Sequence, residues 1–486
     1  MKTIKELFSF GIDSNFNDTE ISDFSDNSKQ IIPGCLFVAL NRNVENRKEH
    51  IKEALAGGAK CILQRSNNGK NYTKEKGGII WRFSNNVRKE LAYLASKFFD
   101  RKFSNVVAVT GTNGKTSTVD ILRQIWLNAG ISAASIGTLG VITENGQEEL
   151  RNNLTSPDCL ELNRILQRLT EKKIVNVAIE TTSQGLDQHR VDEIEFSICA
   201  FTNFSQDHLD YHKTFENYWL AKSRLFSELA TPKSVFVVNS DDAYSEKICE
   251  IANARGIKCV SYGYQSNDVK ILKVDCRGRF REITVSFFGK EILMAFPLRG
   301  AFQIYNSLCA ATIGYFSGLT LEQIIDGLKK LRPIDGRMEL VASFGSANVY
   351  IDYAHTPDAL RTAILSTRDQ TLDRVIVVFG CGGNRDQKKR KIMGEIAANF
   401  ADEVIVTDDN PREEDPKLIR KMILEGCPRA IEIASRKEAI KTAIGILGKG
   451  DTLLVAGKGH ESYQLVGKES MKFSDREVIR NAVRKK

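Results

Sequence analysis

Short apolar runs alternate with polar, helix-patterned stretches from one end of the chain to the other. In the first hundred residues the runs are CLFVAL (35–40), AKCIL (59–63) and GIIWRF (78–83), which predict a small α/β domain. A helix-like segment ends in FFDRKFSN, and a first boundary falls near residue 100. The next run, VVAVTGTNGKTSTVDILRQIW, passes from a buried-type strand through a glycine-containing loop into a helix. Beyond it, VNVAIE (175–180), FSICAFTNF (196–204) and VFVVN (235–239) alternate with helical patterns, which predicts a mostly parallel sheet covered by helices. Residues 270–297 break that rhythm: three short runs split at Arg277-Gly278 and Gly289-Lys290 predict antiparallel hairpin strands. After LEQIIDGLKKL, the segment RPIDGRMEL carries Pro333 and Gly336 and sets a second boundary near residue 333. The last segment offers four strands, VYIDYA, RVIVVFG, EVIVTD and TLLVAG, each followed by a polar cluster at its C-terminal end. Open α/β sheets bind ligands at those ends. The expectation is an α/β protein of three domains, 1–100, 101–332 and 333–486, with no repeat, low-complexity tract or heptad array.

Composition narrows the functional classes. The 486 residues are 42% hydrophobic and 27% charged, ordinary values for a globular chain of several domains. No stretch reaches the roughly 18 apolar residues that a membrane helix needs, and the opening MKTIKELFSFGIDSN has no sustained apolar region of a secretory signal. A cytoplasmic protein without membrane insertion is expected. The ten cysteines contain no CxxC pair, which argues against a zinc ribbon or a disulfide framework and predicts mostly buried thiols. The net charge of +8 is not gathered in one basic domain, although short basic clusters occur at residues 388–391 and at the end of the chain. Nucleic acid is therefore not an expected partner; a solvated surface, or phosphorylated and carboxylated small molecules, suits such a surplus.

The strongest local chemistry lies in Thr110-Gly111-Thr112-Asn113-Gly114-Lys115-Thr116, between an apolar strand and a helix. Glycines let backbone N–H groups approach phosphates, and the helix N-terminus favours negative charge. Lys115 would neutralise β- and γ-phosphate, and the Thr116 hydroxyl would sit on Mg²⁺. Only two residues separate Gly111 from Gly114, so the loop is shorter than the common GxxxxGK[ST] form.

TGTNGKT is the form used by the Mur ligase family, and further signatures occur in order. They are ETTSQGLDQHRV from Glu180, TNFSQDHLDYH from Thr202, AKSRLF from Ala221, YNSLCA from Tyr305, DGRME from Asp335, DYAHTPDAL from Asp352, GCGGNRDQKKR from Gly380, DNPREEDP from Asp409 and GKGHE from Gly457. The chain resembles that family along nearly its full length. The resemblance implies a small N-terminal α/β domain for the uridine nucleotide, a central P-loop mononucleotide-binding domain with a mostly parallel sheet, and a C-terminal Rossmann-like domain for the amino acid. It implies an ATP-dependent acid–amino-acid ligase of cytoplasmic peptidoglycan synthesis that phosphorylates a carboxylate and lets an amine attack the acyl phosphate. Two anions must meet in such a reaction, so metal ions and cationic side chains are needed to offset their repulsion.

Residue by residue, the resemblance implies that Gly111, Thr112, Asn113, Gly114, Lys115, Thr116 and Ser117, with Asn306 and Arg337, serve ATP. Lys115, Glu180, His208 and Lys222 match the catalytic positions. Thr116, Glu180, His208 and Lys222 match the Mg²⁺ positions, with Lys222 as a carbamate. Ser28, Thr155, Ser156, Thr182, Gln188 and Arg190 match contacts to a UDP-muramyl dipeptide. Arg385, Asp409, Asn410, Pro411, Arg412, Gly457 and Glu461 match contacts to the incoming amino acid. Relatives that accept meso-diaminopimelate end the DNPR motif in Arg. The planar fork of Arg412 can bind a distal carboxylate in a way that lysine as substrate would leave unmet. The expected reaction is thus addition of meso-2,6-diaminopimelate to UDP-N-acetylmuramoyl-L-alanyl-D-glutamate by a monomer that uses ATP and Mg²⁺.

Two places depart from the family pattern: Asn27-Ser28-Lys29 stands where DSR is usual, with a short NRNVENR loop after it, and Thr181-Thr182-Ser183-Gln184 where VSSH is common. The alternatives are a sister ligase that adds lysine or another amino acid, a folate polyglutamate type of enzyme, or a P-loop NTPase acting as switch or motor. A motor would be expected to carry basic, aromatic-interleaved surfaces, and none stands out.

Overall fold

The computed structural model describes residues 1–8, 18–41, 43–150, 154–275 and 281–484. The chain divides into two compact units, residues 1–108, 132–197 and 224–233 in the first, and 109–131, 198–223 and 234–486 in the second.

In the first unit, a five-stranded sheet runs in the order Phe24–Ser25, Leu36–Val38, Cys61–Arg65, Ile79–Ser84, Tyr72–Lys76. Its first four strands are parallel and the last is antiparallel. Alternation decides what each face buries. Leu36, Val38, Cys61 and Leu63 join a core with Ile4, Leu7, Phe24 and Leu94, while Phe37 and Ile62 join another with Ile51 and Ala54. The helix Val44–Ala56 starts where Asn43 accepts the Glu45 and Asn46 N–H groups, and Val87–Phe98 starts on Asn86, which accepts from Lys89. The same unit holds Ala133–Gly137 parallel to Asn176–Glu180, with Gly140–Thr143 and Gly146–Glu148 added antiparallel at the edge. That antiparallel edge was not anticipated, because its strands are short and largely polar.

In the second unit, Ile198–Phe201, Val235–Asn239, Lys258–Gly263 and Val269–Asp275 pair in parallel, followed by the antiparallel strands Arg281–Phe287 and Lys290–Phe296. The anticipated hairpins are therefore present; the turn at Arg277-Gly278 lies outside the described residues, and the one at Gly289-Lys290 follows expectation, with Gly289 at φ 81°. A six-stranded sheet then orders Glu339–Phe344, Ala347–Asp352, Thr452–Ala456, Val375–Phe379, Glu403–Val406 and Ile431–Glu432, parallel except for its first strand. Both faces are covered. Tyr350, Val377, Phe379 and Leu454 point into one core, and Val349, Ile351, Ile376, Val378 and Val455 into the other. Burial on two sides is why these strands read as unbroken apolar runs, and each such side chain contributes about 1.5–3 kcal/mol. Crossover helices begin on Thr356-Pro357 and Asp415-Pro416, each a capping side chain followed by a proline whose missing N–H costs nothing there. A buried ion pair between Arg436 and Asp475 (2.7 Å) anchors the last helix, Asp475–Val483. No helix among the described residues is long and apolar enough to cross a membrane.

Candidate active site

The phosphate loop leaves the strand Asn105–Thr110 and enters the helix Lys115–Asn128, as expected from the sequence. Gly111 and Gly114 take φ 146° and 87°. A Cβ on Gly111 would lie 1.9 Å from Thr202 Oγ1, and one on Gly114 2.5 Å from Asn306 Oδ1, so conformation and close approach both demand glycine. The loop is laced to its neighbours. Thr202 Oγ1 donates to Asn113 O at 2.6 Å, Asn113 N–H donates to Asn203 Oδ1 at 2.9 Å, and the Thr112 and Tyr218 hydroxyls lie 3.1 Å apart. Thr116 and Ser117 are buried at the helix start, and Arg337 donates to Thr116 Oγ1 at 3.2 Å. Asn306 is buried against Gln303.

Lys115 and Lys222 converge on one atom: Gly111 O accepts from Lys115 Nζ at 2.9 Å and from Lys222 Nζ at 2.7 Å. Lys115 also donates to Thr112 O at 2.8 Å. A helical lysine is ordinarily a solvated cation, yet Lys222 is 2% exposed and lies over the Tyr218 ring. Burial and the nearby Lys115 push its pKa well below the usual lysine range.

His208 stands at φ 54°, where its backbone turns into the short helix Leu209–His212. Burial lowers its pKa to about 4, against the opposing pull of Asp207 and with help from Lys222, Lys115 and His355. Asp207 was not singled out from the sequence, although it sits inside TNFSQDHLDYH. Its carboxylate lies 3.4 Å from His208 Nε2, 3.8 Å from His355 Nε2 and 3.7 Å from Lys389 Nζ. Burial opposes its ionisation, but these neighbours hold it well below the ordinary carboxylate range. The basic cluster at residues 388–391 is therefore more than a surface feature: Lys389 is buried beside Asp207, and Arg390 is buried against Glu414 at 2.8 Å. Gln206 donates to Asp386 of the GCGGNRDQKKR motif at 3.0 Å.

At the C-terminal ends of the six-stranded sheet, the residues expected to meet the amino acid are brought together. Arg412 takes φ 53°; its N–H donates to Leu465 O at 3.1 Å, and its carbonyl accepts from Gly467 at 2.7 Å, so the hairpin Tyr463–Lys472 holds it. Its Nη1 donates to Gly383 O at 2.9 Å, and burial together with Arg385 lowers its pKa. Arg385 is exposed beside it. Pro411 is buried, and Asn410 N–H donates to Asp409 Oδ1 at 2.7 Å. A Cβ on Gly457 would lie 2.7 Å from Asp409 Oδ2. Asn410 Nδ2 donates to Glu461 Oε2 at 2.9 Å, and Lys458, which is fully buried, donates to Asn410 Oδ1 at 3.0 Å and Glu461 Oε2 at 2.7 Å. Lys458 was missed, though it lies within the quoted GKGHE.

In the first unit, Glu180 ends its strand 1% exposed. Thr138 donates to both carboxylate oxygens, N–H to Oε1 at 2.8 Å and hydroxyl to Oε2 at 3.1 Å. The Thr138 hydroxyl lies 3.1 Å from that of Thr155. Ser156 Oγ donates to Glu180 O at 2.9 Å and accepts from Thr182 N–H at 2.9 Å, while the Ser156 carbonyl accepts from Arg190 Nη1 at 2.8 Å. Arg190 Nη2 donates to Gln188 Oε1 at 2.9 Å. Thr155, Ser156, Thr182, Gln188 and Arg190 thus form one network with Glu180. Ser28 is tied instead to Glu53, at 2.5 Å. A cavity of about 260 Å³ is lined by Asp26, Phe37, Val38, Ala39, Leu40, Asn41, Arg47 and His50. Asp26, Asn41, Arg47 and His50 were not anticipated; only the NRNVENR loop pointed to this place.

Among the described residues no group of three or more His, Cys, Asp or Glu could hold a metal. The donors expected for Mg²⁺ are an ionisable carboxylate in the first unit, Glu180, and a neutral imidazole and a buried amine in the second, His208 and Lys222. Those donor types suit a hard cation only if Lys222 gains an anionic oxygen ligand.

Comparison with known proteins decides the family. Residues 109–314 match the Mur ligase middle domain, and 336–459 match the Mur ligase, glutamate ligase domain. A protein of Rhizobium meliloti strain 1021 named UDP-N-acetylmuramoyl-L-alanyl-D-glutamate--2,6-diaminopimelate ligase is 41% identical over 466 residues, 96% of this chain and 94% of that protein. The chain belongs to the Mur ligase family. A protein of the same name from Rickettsia montanensis is 40% identical to this Mur ligase and covers 96% of it, with 97% of its own length matched. A solved structure of a ligase of that name aligns with TM-score 0.71 and 29% identity, covering 100% of this chain and 99% of that one. The fold alone is shared with the Thermotoga maritima MurF ligase in complex with ADP, at TM-score 0.64, 17% identity, and coverage of 96% and 97%. The α/β expectation holds for this Mur ligase, as does the expectation of an ATP-dependent ligase.

Proposed function

We propose that this Mur ligase adds meso-2,6-diaminopimelate to UDP-N-acetylmuramoyl-L-alanyl-D-glutamate through an acyl phosphate, in cytoplasmic peptidoglycan precursor synthesis. Residues 1–100 take the uridine nucleotide, 101–332 ATP, and 333–486 the amino acid, within a monomer. The observation that carries the reading is Arg412: a half-buried guanidinium, held in a left-handed backbone conformation beside Arg385, at the strand ends of a domain whose relatives are named for diaminopimelate.

ATP phosphates meet the N–H groups of 111–117, with Lys115 swinging from its carbonyl partners onto the β/γ oxygens. Exchange of a neutral carbonyl for an anion favours that swing. Asn306 and Arg337 face the nucleotide from the helix Phe302–Phe316 and from DGRME. Lys222, whose proton is made easier to lose by burial and by Lys115, is suited to add CO₂, giving a carbamate and releasing a proton. Thr116, Glu180, His208 and that carbamate would hold Mg²⁺, whose charge offsets repulsion between phosphate and carboxylate. Thr155, Ser156, Thr182, Gln188 and Arg190 orient the dipeptide, and Ser28 the uridine end. Arg412 and Arg385 receive the distal carboxylate of diaminopimelate, while Asp409, Asn410, Pro411, Gly457 and Glu461 shape the rest of that pocket.

The test is phosphate release from ATP and Mg²⁺ with the UDP-muramyl dipeptide and diaminopimelate, lysine or neither. Release is expected only with diaminopimelate, together with the amide product. Equal turnover with lysine would assign the lysine-adding reaction, and release without any amine or product would assign a plain NTPase.

A further inference from the structure

Seven of the nine described cysteines are buried, and burial pushes their thiols up. The other two, Cys249 and Cys259, are only half-buried and face each other, Sγ to Sγ at 3.3 Å. Cys249 lies within the helix Ser245–Arg255, and Cys259 is the second residue of the strand Lys258–Gly263 on which that helix packs. Two sulfurs in contact at a solvent-reachable place, only ten positions apart along the chain, need little backbone movement to bond. We propose that Cys249 and Cys259 form a peroxide-responsive dithiol, oxidised in place to a disulfide that ties this helix to its strand.

The electrostatics assign the order of events. The hydrogen bond between the two sulfurs brings the Cys249 pKa down to about 7, against the effect of burial, and pushes that of Cys259 up. An attacking thiol titrating near ambient pH combines thiolate fraction with nucleophilicity. The Cys249 thiolate attacks the distal oxygen of a hydroperoxide; the S–O bond forms as the O–O bond breaks, and the departing alkoxide takes a proton to become an alcohol. Cys249 is then a sulfenic acid. Cys259 sulfur attacks it, the S–S bond forms, the S–O bond breaks, and hydroxide leaves as water with the Cys259 proton. Overall the two thiols lose two electrons and two protons, and the peroxide is reduced to alcohol and water. The pair sits near the beginning of its strand, whereas ligands of α/β sheets gather at the opposite ends. Ligase turnover is therefore expected to survive, within about twofold, in Cys249→Ser and Cys259→Ser.

The experiment exposes the full-length native protein to hydrogen peroxide, blocks remaining thiols with N-ethylmaleimide, and digests with trypsin without reductant. Cleavage after Lys247, Arg255, Lys258 and Lys270 yields ICEIANAR and CVSYGYQSNDVK. The expected product is these two peptides joined, two hydrogens lighter than their sum, and separated again by a dithiol reductant. Maleimide labelling of both cysteines should fall at least about fivefold after oxidation, while the buried seven stay unlabelled throughout. Cys259→Ser should leave a sulfenic acid on Cys249 that dimedone traps, and Cys249→Ser should abolish the joined peptide. Both peptides still carrying maleimide after peroxide, or Cys249 carried to the sulfinic acid with Cys259 free, would overturn the proposal.

Discussion

Two cationic clusters of the second unit are built in opposite ways. Around the phosphate loop, Lys115 and Lys222 share the Gly111 carbonyl oxygen, and Lys115 also reaches the Thr112 carbonyl. In the amino-acid cluster, Lys458 ends on the Glu461 carboxylate and on Asn410, whose own amide donates to the same Glu461 oxygen. A carbonyl acceptor offsets little of an ammonium's charge, so the first cluster gains by admitting an anion or by losing a proton. In the second, Lys458 is already paired with a carboxylate and closed into a triangle with Asn410 and Glu461. The difference separates groups that change partner or chemical state during turnover from groups that hold a shape.

The largest effect is expected where a cation must change partner. Lys115→Ala should lower kcat/KM for ATP by about 10³ or more, since a charge on the transferring phosphoryl group is removed from a water-poor site. Phosphate release is the measurement, with circular dichroism as the check on folding. A loss below tenfold would mean that the carbonyl-bound position is the resting and working position alike.

Lys222→Ala should come next, with turnover falling by roughly 10². What distinguishes a carbamate from a structural ammonium is rescue: a short carboxylic acid should restore part of the activity by supplying the lost anionic oxygens. Retained activity in Lys222→Ala, or rescue by an alkylamine instead, would place Lys222 with the shape-holding groups.

These contrasts were unevenly legible in the sequence. TGTNGKT declared itself because strand, glycines, Lys115 and helix follow one another locally. The alternation of Val349, Tyr350 and Ile351 between two cores, hidden in a continuous apolar run, could be read only as a buried strand. Lys222 lies in the helix Phe215–Arg224, and nothing local in the sequence shows that the helix turns it inward over Tyr218. Asp207 escaped notice for a related reason. Its three partners, His208, His355 and Lys389, come from three separate motifs, and a carboxylate's importance there is a property of the assembled sheet ends. The Asp26–Arg47–His50 cavity was faint because the first-domain motif departs from the family pattern, leaving spacing alone as a guide.

Arg412→Ala tests the amino-acid cluster at the group expected to touch substrate. Loss of a charge-assisted, two-point contact should raise KM for diaminopimelate by about 10² while KM for ATP stays within about twofold. Steady-state kinetics with each substrate varied in turn measures the split. Parallel loss of both would show that the guanidinium, through its bond to Gly383 O, holds the loop instead of the substrate.

Lys458→Met carries the comparison to its finest point. Lys458 is fully buried among Asn410, Glu461 and the Tyr463 ring, so its removal should act through the amino-acid cluster. Methionine keeps the volume but leaves the Glu461 carboxylate with only the Asn410 amide, and a partly uncompensated charge costs about 1–3 kcal/mol. A fall in Tm of several degrees is expected, along with a KM for diaminopimelate raised about tenfold at nearly constant kcat. Lys458→Arg should recover the charge but not the fit, because a planar fork cannot occupy a site shaped for a point donor. A drop in kcat with KM unchanged would move Lys458 from the groups that hold the pocket to those that act in the transition state, and would erase the contrast between the two clusters.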